Sequence, residues 1–247
     1  MKLSILTLFP QFFESAFQSS ILKRAISGQQ VTVELVNIRD FATDKHKVTD
    51  DRPYGGGPGM VMKVEPIYAA LQHTLKVDPV QHVQQNATQS SWQTKVVLTS
   101  AKGKLFHQAS AGQYAELEHL VIICGHYEGV DERVAQYLID EEVRIGDYVL
   151  TGGEPAALVM ADAVTRLLPG VLGNEESTSG ESHSTPGFLA HPQYTRPVEF
   201  QGWKVPDILL TGHHAQITDW RHQQTSPDVA HPESAAEVEG EDHEASQ

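Results

Sequence analysis

Short aliphatic runs recur along this chain with helical patterns between them, and that alternation restricts its fold more than any other feature. The runs occupy residues 3–9, 31–36, 96–100, 120–124 and 143–150. Helical patterns cover 66–75, 131–139 and 155–168. Strands separated by helices cannot be joined by tight hairpins; they pair in parallel, with helices on both faces of the sheet. The expected class is therefore α/β. The 247 residues allow one large domain with a small one beside it, and a hydrophobic content of 40% suffices for a sizeable core. The small unit is expected around 206–223, where Leu209, Leu210, Ile217 and Trp220 give a helical segment. Residues 173–190 are rich in Ser, Gly, Glu and Thr and read as a mobile linker.

Charge and special residues narrow the possible functions. The formal net charge of −14 argues against indiscriminate nucleic-acid binding. Half of that excess lies in residues 223–247, which hold seven acids and no Lys or Arg. With almost nothing to bury, this tail is expected to be disordered. No apolar run approaches the roughly 20 residues that span a bilayer, and no membrane association is expected. Residues 1–10 are apolar but meet Pro10 early and lack a small-residue cleavage site, so they read as a first strand. Cys124 is the one cysteine, which excludes a disulfide within the chain and suits a cytoplasmic protein. None of the 13 histidines falls in a His-Glu-x-x-His spacing, so no metal site is expected.

Three segments carry chemistry. Residues 140–154, Asp-Glu-Glu-Val-Arg-Ile-Gly-Asp-Tyr-Val-Leu-Thr-Gly-Gly-Glu, run from a strand through Gly152-Gly153 into a helix with Pro155 in its first turn. A strand end, a turn of little side-chain bulk and a helix N-terminus can grip a small polar ligand with backbone groups. Residues 124–129, Cys-Gly-His-Tyr-Glu-Gly, follow a buried strand, at the edge where open α/β sheets bind ligands. Residues 52–60, Arg-Pro-Tyr-Gly-Gly-Gly-Pro-Gly-Met, form a glycine loop that is neither a Walker A loop nor a dinucleotide loop. On glycine content alone it could be a surface turn; the preceding Asp50-Asp51 points towards function.

In order along the chain, Leu8-Phe9-Pro10, Ile38-Arg39-Asp40-Phe41 and the three segments above are followed by Pro169-Gly170 and Tyr194-Thr195-Arg196-Pro197. As a set, over about residues 1–222, they resemble the bacterial tRNA (guanine-N1)-methyltransferases of the SPOUT class. The resemblance implies a sheet domain with a deep trefoil knot over 1–172, a flexible linker over 173–191, and a small helical tRNA-binding domain over 192–222. The acidic tail of 223–247 stands where the family continues with a basic segment, which implies weaker tRNA binding with a flatter salt dependence.

It also implies a homodimer that uses S-adenosylmethionine to methylate N1 of the guanine 3′ of the anticodon in tRNA. Cofactor contacts are then expected at Leu98, Thr99, Ser100, Gly125 and Glu128. Further contacts fall on Ile145, Gly146, Asp147, Tyr148, Val149, Leu150, Gly152 and Gly153. RNA contacts fall on Asp50, Arg52, Gly55, Gly56 and Gly57. Guanine N1 carries a proton and is a poor nucleophile, so the chemistry requires a base at N1 and a cation near O6. Arg166 matches the family's arginine. Glu181, followed by Ser182, stands where the family has a linker aspartate. His126 stands where the family often has arginine. Glu128 and Glu181 are the carboxylates at which an assisting magnesium ion would be sought. The rival reading is a cofactor- or RNA-binding relative with little turnover. A nucleotide-phosphate enzyme is disfavoured because the glycine loop has no phosphate lysine.

Overall fold

The computed structural model describes residues 1–88, 92–173, 180–185 and 187–227. The chain divides into two compact units, Met1–Gly173 and Asn174–Gln247.

The first unit is built on five parallel strands: β1 (Lys2–Thr7), β2 (Thr32–Asn37), β3 (Thr94–Leu105), β4 (His119–Cys124) and β5 (Glu141–Arg144). Their spatial order is β2-β1-β4-β3-β5, and every pair within it is parallel. The period of two along each strand divides the core. Leu3, Ile5, Val97, Leu120, Ile122 and Cys124 point to one face. Leu6, Leu8, Val96, Leu98, Val121 and Ile123 point to the other. Ile5, Leu6 and residues 120–124 are all fully buried, which is why these segments read as continuous aliphatic runs.

Helices cover both faces. α1 (Ser20–Ser27), α4 (Gln108–Ala115) and α6 (Glu154–Thr165) pack on the first through Ala25, Tyr114, Met160 and Val164. α2 (Val64–Leu75), α3 (Pro79–Asn86) and α5 (Glu132–Tyr137) pack on the second, where Ile67, Leu71 and Val134 are buried. α3 starts at Asp78, whose side chain accepts from Gln81 N, with Pro79 in the first turn. α5 is capped in the same way by Asp131, which accepts from Arg133 N.

Two departures from the expected elements shape the cleft described below. β3 continues to Leu105, but its pairing with β5 slips between Thr99 and Lys104, so residues 100–103 bulge out of the ladder. The bulge packs so close to β5 that a Cβ on Gly103 would overlap the backbone of Glu142 and Val143. The strand expected over 143–150 ends instead at Arg144. Beyond it the chain leaves the sheet, with Tyr148, Val149 and Leu150 exposed. Their apolar character makes them look like strand, but no strand among the described residues pairs with them.

In the second unit, Glu199–Phe200 and Trp203–Lys204 form an antiparallel hairpin. Gln201 and Gly202 take positive φ at its two-residue turn, as such turns require. Helix α7 (His214–Gln224) presents Trp220 to the rings of His191 and Tyr194. Phe188–Leu189, within the segment expected to be linker, pairs with Ser226–Pro227. Residues 174–179 and 186 of that linker, and 228–247 of the acidic tail, lie outside the described residues.

Candidate active site

The strands' carboxyl ends open into a cleft of about 450 Å³, within the range of small-molecule sites. Three loops form it: the bulge of β3, residues 125–130 after β4, and residues 145–153 after β5. Of the expected cofactor residues, Leu98, Thr99, Ser100, Gly125, Glu128, Ile145, Gly146, Tyr148, Val149, Leu150, Gly152 and Gly153 all line this one cleft. Asp147 does not; its side chain is 85% exposed and pairs with Arg144 Nε at 3.0 Å.

The backbone walls of the cleft depend on glycine. A Cβ on Gly153 would overlap the Thr99 hydroxyl and lie 2.9 Å from the Cα of Cys124. A Cβ on Gly125 would sit 3.1 Å from Thr99 O. With neither side chain present, Gly153 N donates to Gly125 O at 2.8 Å, tying the two loops together. Thr99 Oγ1 meanwhile donates to Ile123 O and accepts from Gly125 N.

The rim is charged. Lys102, on the bulge, pairs with Glu132 at 2.7 Å and lies 3.9 Å from Glu142. The Glu132 carboxylate holds the Lys102 ammonium above the usual lysine range. Below the rim, burial and then the nearby Glu154 carboxylate push the Cys124 thiol well up, so it stays protonated and is no nucleophile. Glu154 is itself buried, with Thr7 and His126 on its oxygens.

The glycine loop is fastened beside the cleft. Its arms, Asp50–Asp51 and Val61–Met62, pair antiparallel. Met62 N donates to Gly129 O, and Asp131 N donates back to Met62 O, each at 2.9 Å. Glu128 N donates to Met60 O at 3.0 Å. Asp50 is half-buried at the base, while Arg52, Tyr54, Gly55, Gly56 and Gly57 are exposed. The three glycines take φ of +85°, +80° and +126°, a backbone path that side chains resist.

Arg166 immediately follows α6 in the first unit and is half-buried. Glu181 belongs to the second unit and is also half-buried. Its loop is held by its own hydrogen bonds: Ser184 N donates to Glu181 O at 3.1 Å, and His183 N donates to Phe188 O at 2.7 Å. Ser182 Oγ accepts from Ala190 N at 3.0 Å.

The motif reading passed over Lys102, Glu132 and Glu142 at the rim and the Thr7–Glu154 contact below it. Gly103 was the available signal for the bulge. Nothing local marked Thr7, whose partner lies 147 residues away.

Comparison with known proteins gives one answer. Residues 1–231 match the family model described as tRNA (Guanine-1)-methyltransferase TrmD. A tRNA (guanine-N(1)-)-methyltransferase of Dehalococcoides mccartyi is 50% identical over 225 residues, covering 91% of this chain and 86% of that one. The Listeria innocua protein of the same name is also 50% identical, covering 91% and 87%. The crystal structure of tRNA (m1G37) methyltransferase from Aquifex aeolicus superposes with a TM-score of 0.70 at 37% identity, covering 91% of this chain and 89% of that one.

Proposed function

The chain belongs to the tRNA (guanine-1)-methyltransferase family, and on that premise we propose that it methylates N1 of the guanine immediately 3′ of the anticodon, position 37, in tRNA. The methyl donor is S-adenosylmethionine. The observation that carries this reading is the cleft at the carboxyl edge of β3, β4 and β5. Its volume falls in the small-molecule range, and glycines at 125 and 153 let its loops pack where a Cβ would collide with Thr99 and Cys124. Relatives half identical over nine-tenths of the chain carry the methyltransferase name, which favours an active enzyme over a binding relative with little turnover.

When bound, the cofactor supplies a sulfonium methyl, a strong electrophile. The residues of the chain have two tasks. Glu181 accepts the N1 proton, which turns a lactam nitrogen into a nucleophile. Arg166 stabilises the negative charge that grows on O6 as that proton leaves. Leu98, Thr99, Ser100, Gly125, Glu128 and the loop from Ile145 to Gly153 hold the cofactor. Asp147 reaches it through its backbone, since its carboxylate pairs with Arg144. Asp50, Arg52 and Gly55–Gly57 face the RNA, consistent with a firmly anchored loop whose tip is exposed. A magnesium ion would find Glu128 as its carboxylate in the cleft and complete its shell with water. No step here depends on one.

The same reading includes the SPOUT class, a deep trefoil knot in the first unit, and action in the cytoplasm. It also includes a homodimer in which each chain completes its partner's site. Apolar side chains left in solvent at the cleft support the dimer, among them Tyr148, Leu150 and Val149, the last 85% exposed. Analytical ultracentrifugation is expected to show a dimer that persists on dilution. An active monomer would refute it.

Two measurements test the function. Calorimetry without RNA is expected to show cofactor binding, because the cleft is formed by the first unit's own loops. Mass spectrometry of tRNA is expected to find 1-methylguanosine at position 37 only in cells that carry the protein. Cofactor binding without that nucleoside would favour the low-turnover rival.

A further inference from the structure

We propose that Glu154, acting with His126 and Thr7, is a positioning residue for the cofactor: it keeps the two cleft loops in the register that lets their backbone groups grip S-adenosylmethionine. This rests on the cofactor reading above and adds Glu154, which does not itself line the cleft, acting through His126, which does.

Glu154 is only 3% exposed, and a carboxylate so deeply buried persists only when its oxygens are partnered. Both are. Thr7 Oγ1, at the end of β1, donates to Oε1 at 2.6 Å. His126 Nε2, in the loop after β4, lies 2.6 Å from Oε2. Thr7 Oγ1 is held in turn by accepting from Phe9 N at 2.9 Å. The carboxylate also begins α6, where the helix dipole favours negative charge. Three remote chain segments therefore converge on one group.

That convergence sets the position of the cleft walls. Glu154 directly follows Gly152 and Gly153, which line the cleft. His126 forms an antiparallel bridge with Gly152. Its imidazole fills the space a side chain at 152 would need, and a Cβ there would also come within 2.7 Å of Glu154 Oε2. Phe9 packs on the ring at 5.0 Å between centroids. The imidazole is thus clamped between Phe9, Gly152 and Glu154. If the carboxylate loses its charge or its partner, the ring can move, and the 125–130 loop can move relative to the 145–153 loop. Ligand contacts are sensitive to displacements of about 1 Å.

The test uses the full-length protein and Glu154→Gln, His126→Ala and His126→Gln. Melting curves establish folding. Calorimetry without RNA gives the Kd for S-adenosylmethionine, and steady-state kinetics separate KM for cofactor, KM for tRNA and kcat. Glu154→Gln and His126→Ala are expected to raise Kd and KM for the cofactor by about 10- to 100-fold. KM for tRNA, and kcat at saturating cofactor, should stay near the unmodified values. His126→Gln, whose side-chain amide can still donate to Oε2, should recover most of the affinity. A purely structural role would lower the melting temperature without this split.

The proposal is overturned if folded Glu154→Gln and His126→Ala bind cofactor as the unmodified protein does, or if His126→Gln is as impaired as His126→Ala. Should Glu154→Gln fail to fold, the two His126 variants decide the matter. If the unmodified protein itself takes up no cofactor, the cofactor reading has failed, a result distinct from any difference among the variants.

Discussion

Glu181→Gln is expected to slow methyl transfer by roughly 10²–10⁴-fold under single-turnover conditions, the usual cost of losing a general base. The substitution keeps the side chain's size and removes its basicity. Guanine N1 would then have to lose its proton to water or to a weaker group while the methyl is transferred. Cofactor affinity should hardly change, because the residues proposed to hold the cofactor all belong to the first unit and Glu181 to the second. The loop's bonds through Glu181 O, Ser182 Oγ and the backbones of His183 and Phe188 are all retained in this variant, and a melting curve checks that it folds. Glu181→Asp keeps a carboxylate on a side chain one methylene shorter and should remain active. If Glu181→Gln transfers methyl at the unmodified rate, the base lies elsewhere. Asp147 would then be tested next, together with Glu175, which falls outside the described residues.

Arg166→Ala should lower turnover by roughly 10²–10³-fold, the scale of removing one preorganised group that meets developing charge. The guanine O6 is nearly neutral before reaction and anionic as the N1 proton leaves, so a guanidinium gains more in the transition state than in the ground state. The loss should therefore appear in kcat, with KM for tRNA changing less. Arg166→Lys retains a cation but not the planar fork of donors, and should recover only part of the rate. Arg166 follows the last turn of α6 and caps it through its own N–H, which donates to Asp162 O at 3.1 Å. That backbone bond remains in both variants, and a melting curve checks that they fold. A rise in KM for cofactor or a collapse in melting temperature, with kcat preserved, would assign Arg166 to binding or folding instead.

Much of the first unit was legible before any coordinates. The central runs became strands because a strand buried on both faces needs apolar residues at nearly every position, whereas the edge strands Thr32–Asn37 and Glu141–Arg144 are only partly buried. The helices at 66–75, 131–139 and 155–168 appeared with shifted ends. α1, α3 and α4 were passed over. The pattern of α4, Gln-Ala-Ser-Ala-Gly-Gln-Tyr-Ala, buries only Ala111 and Tyr114, too few to show a helical period. α3 is mostly polar, although Asp78-Pro79 was a usable start signal. The strand over 143–150 was read too long because Tyr148, Val149 and Leu150 have strand-like side chains, whereas the pairing that makes a strand ends at Arg144.

The sequence alone determined the local features of the cleft: glycines where a backbone must come close, and strand ends that open onto loops. These are local requirements, and local motifs carry them. Tertiary structure decided which of those residues share a cleft, that Asp147 turns away to Arg144, and that β3 bulges at 100–103. It also brought Thr7, His126 and Glu154 together at one carboxylate. Contacts across 28 and 147 residues depend on the path of the folded chain and on which side chains that path buries together, and no spacing in the sequence encodes that path.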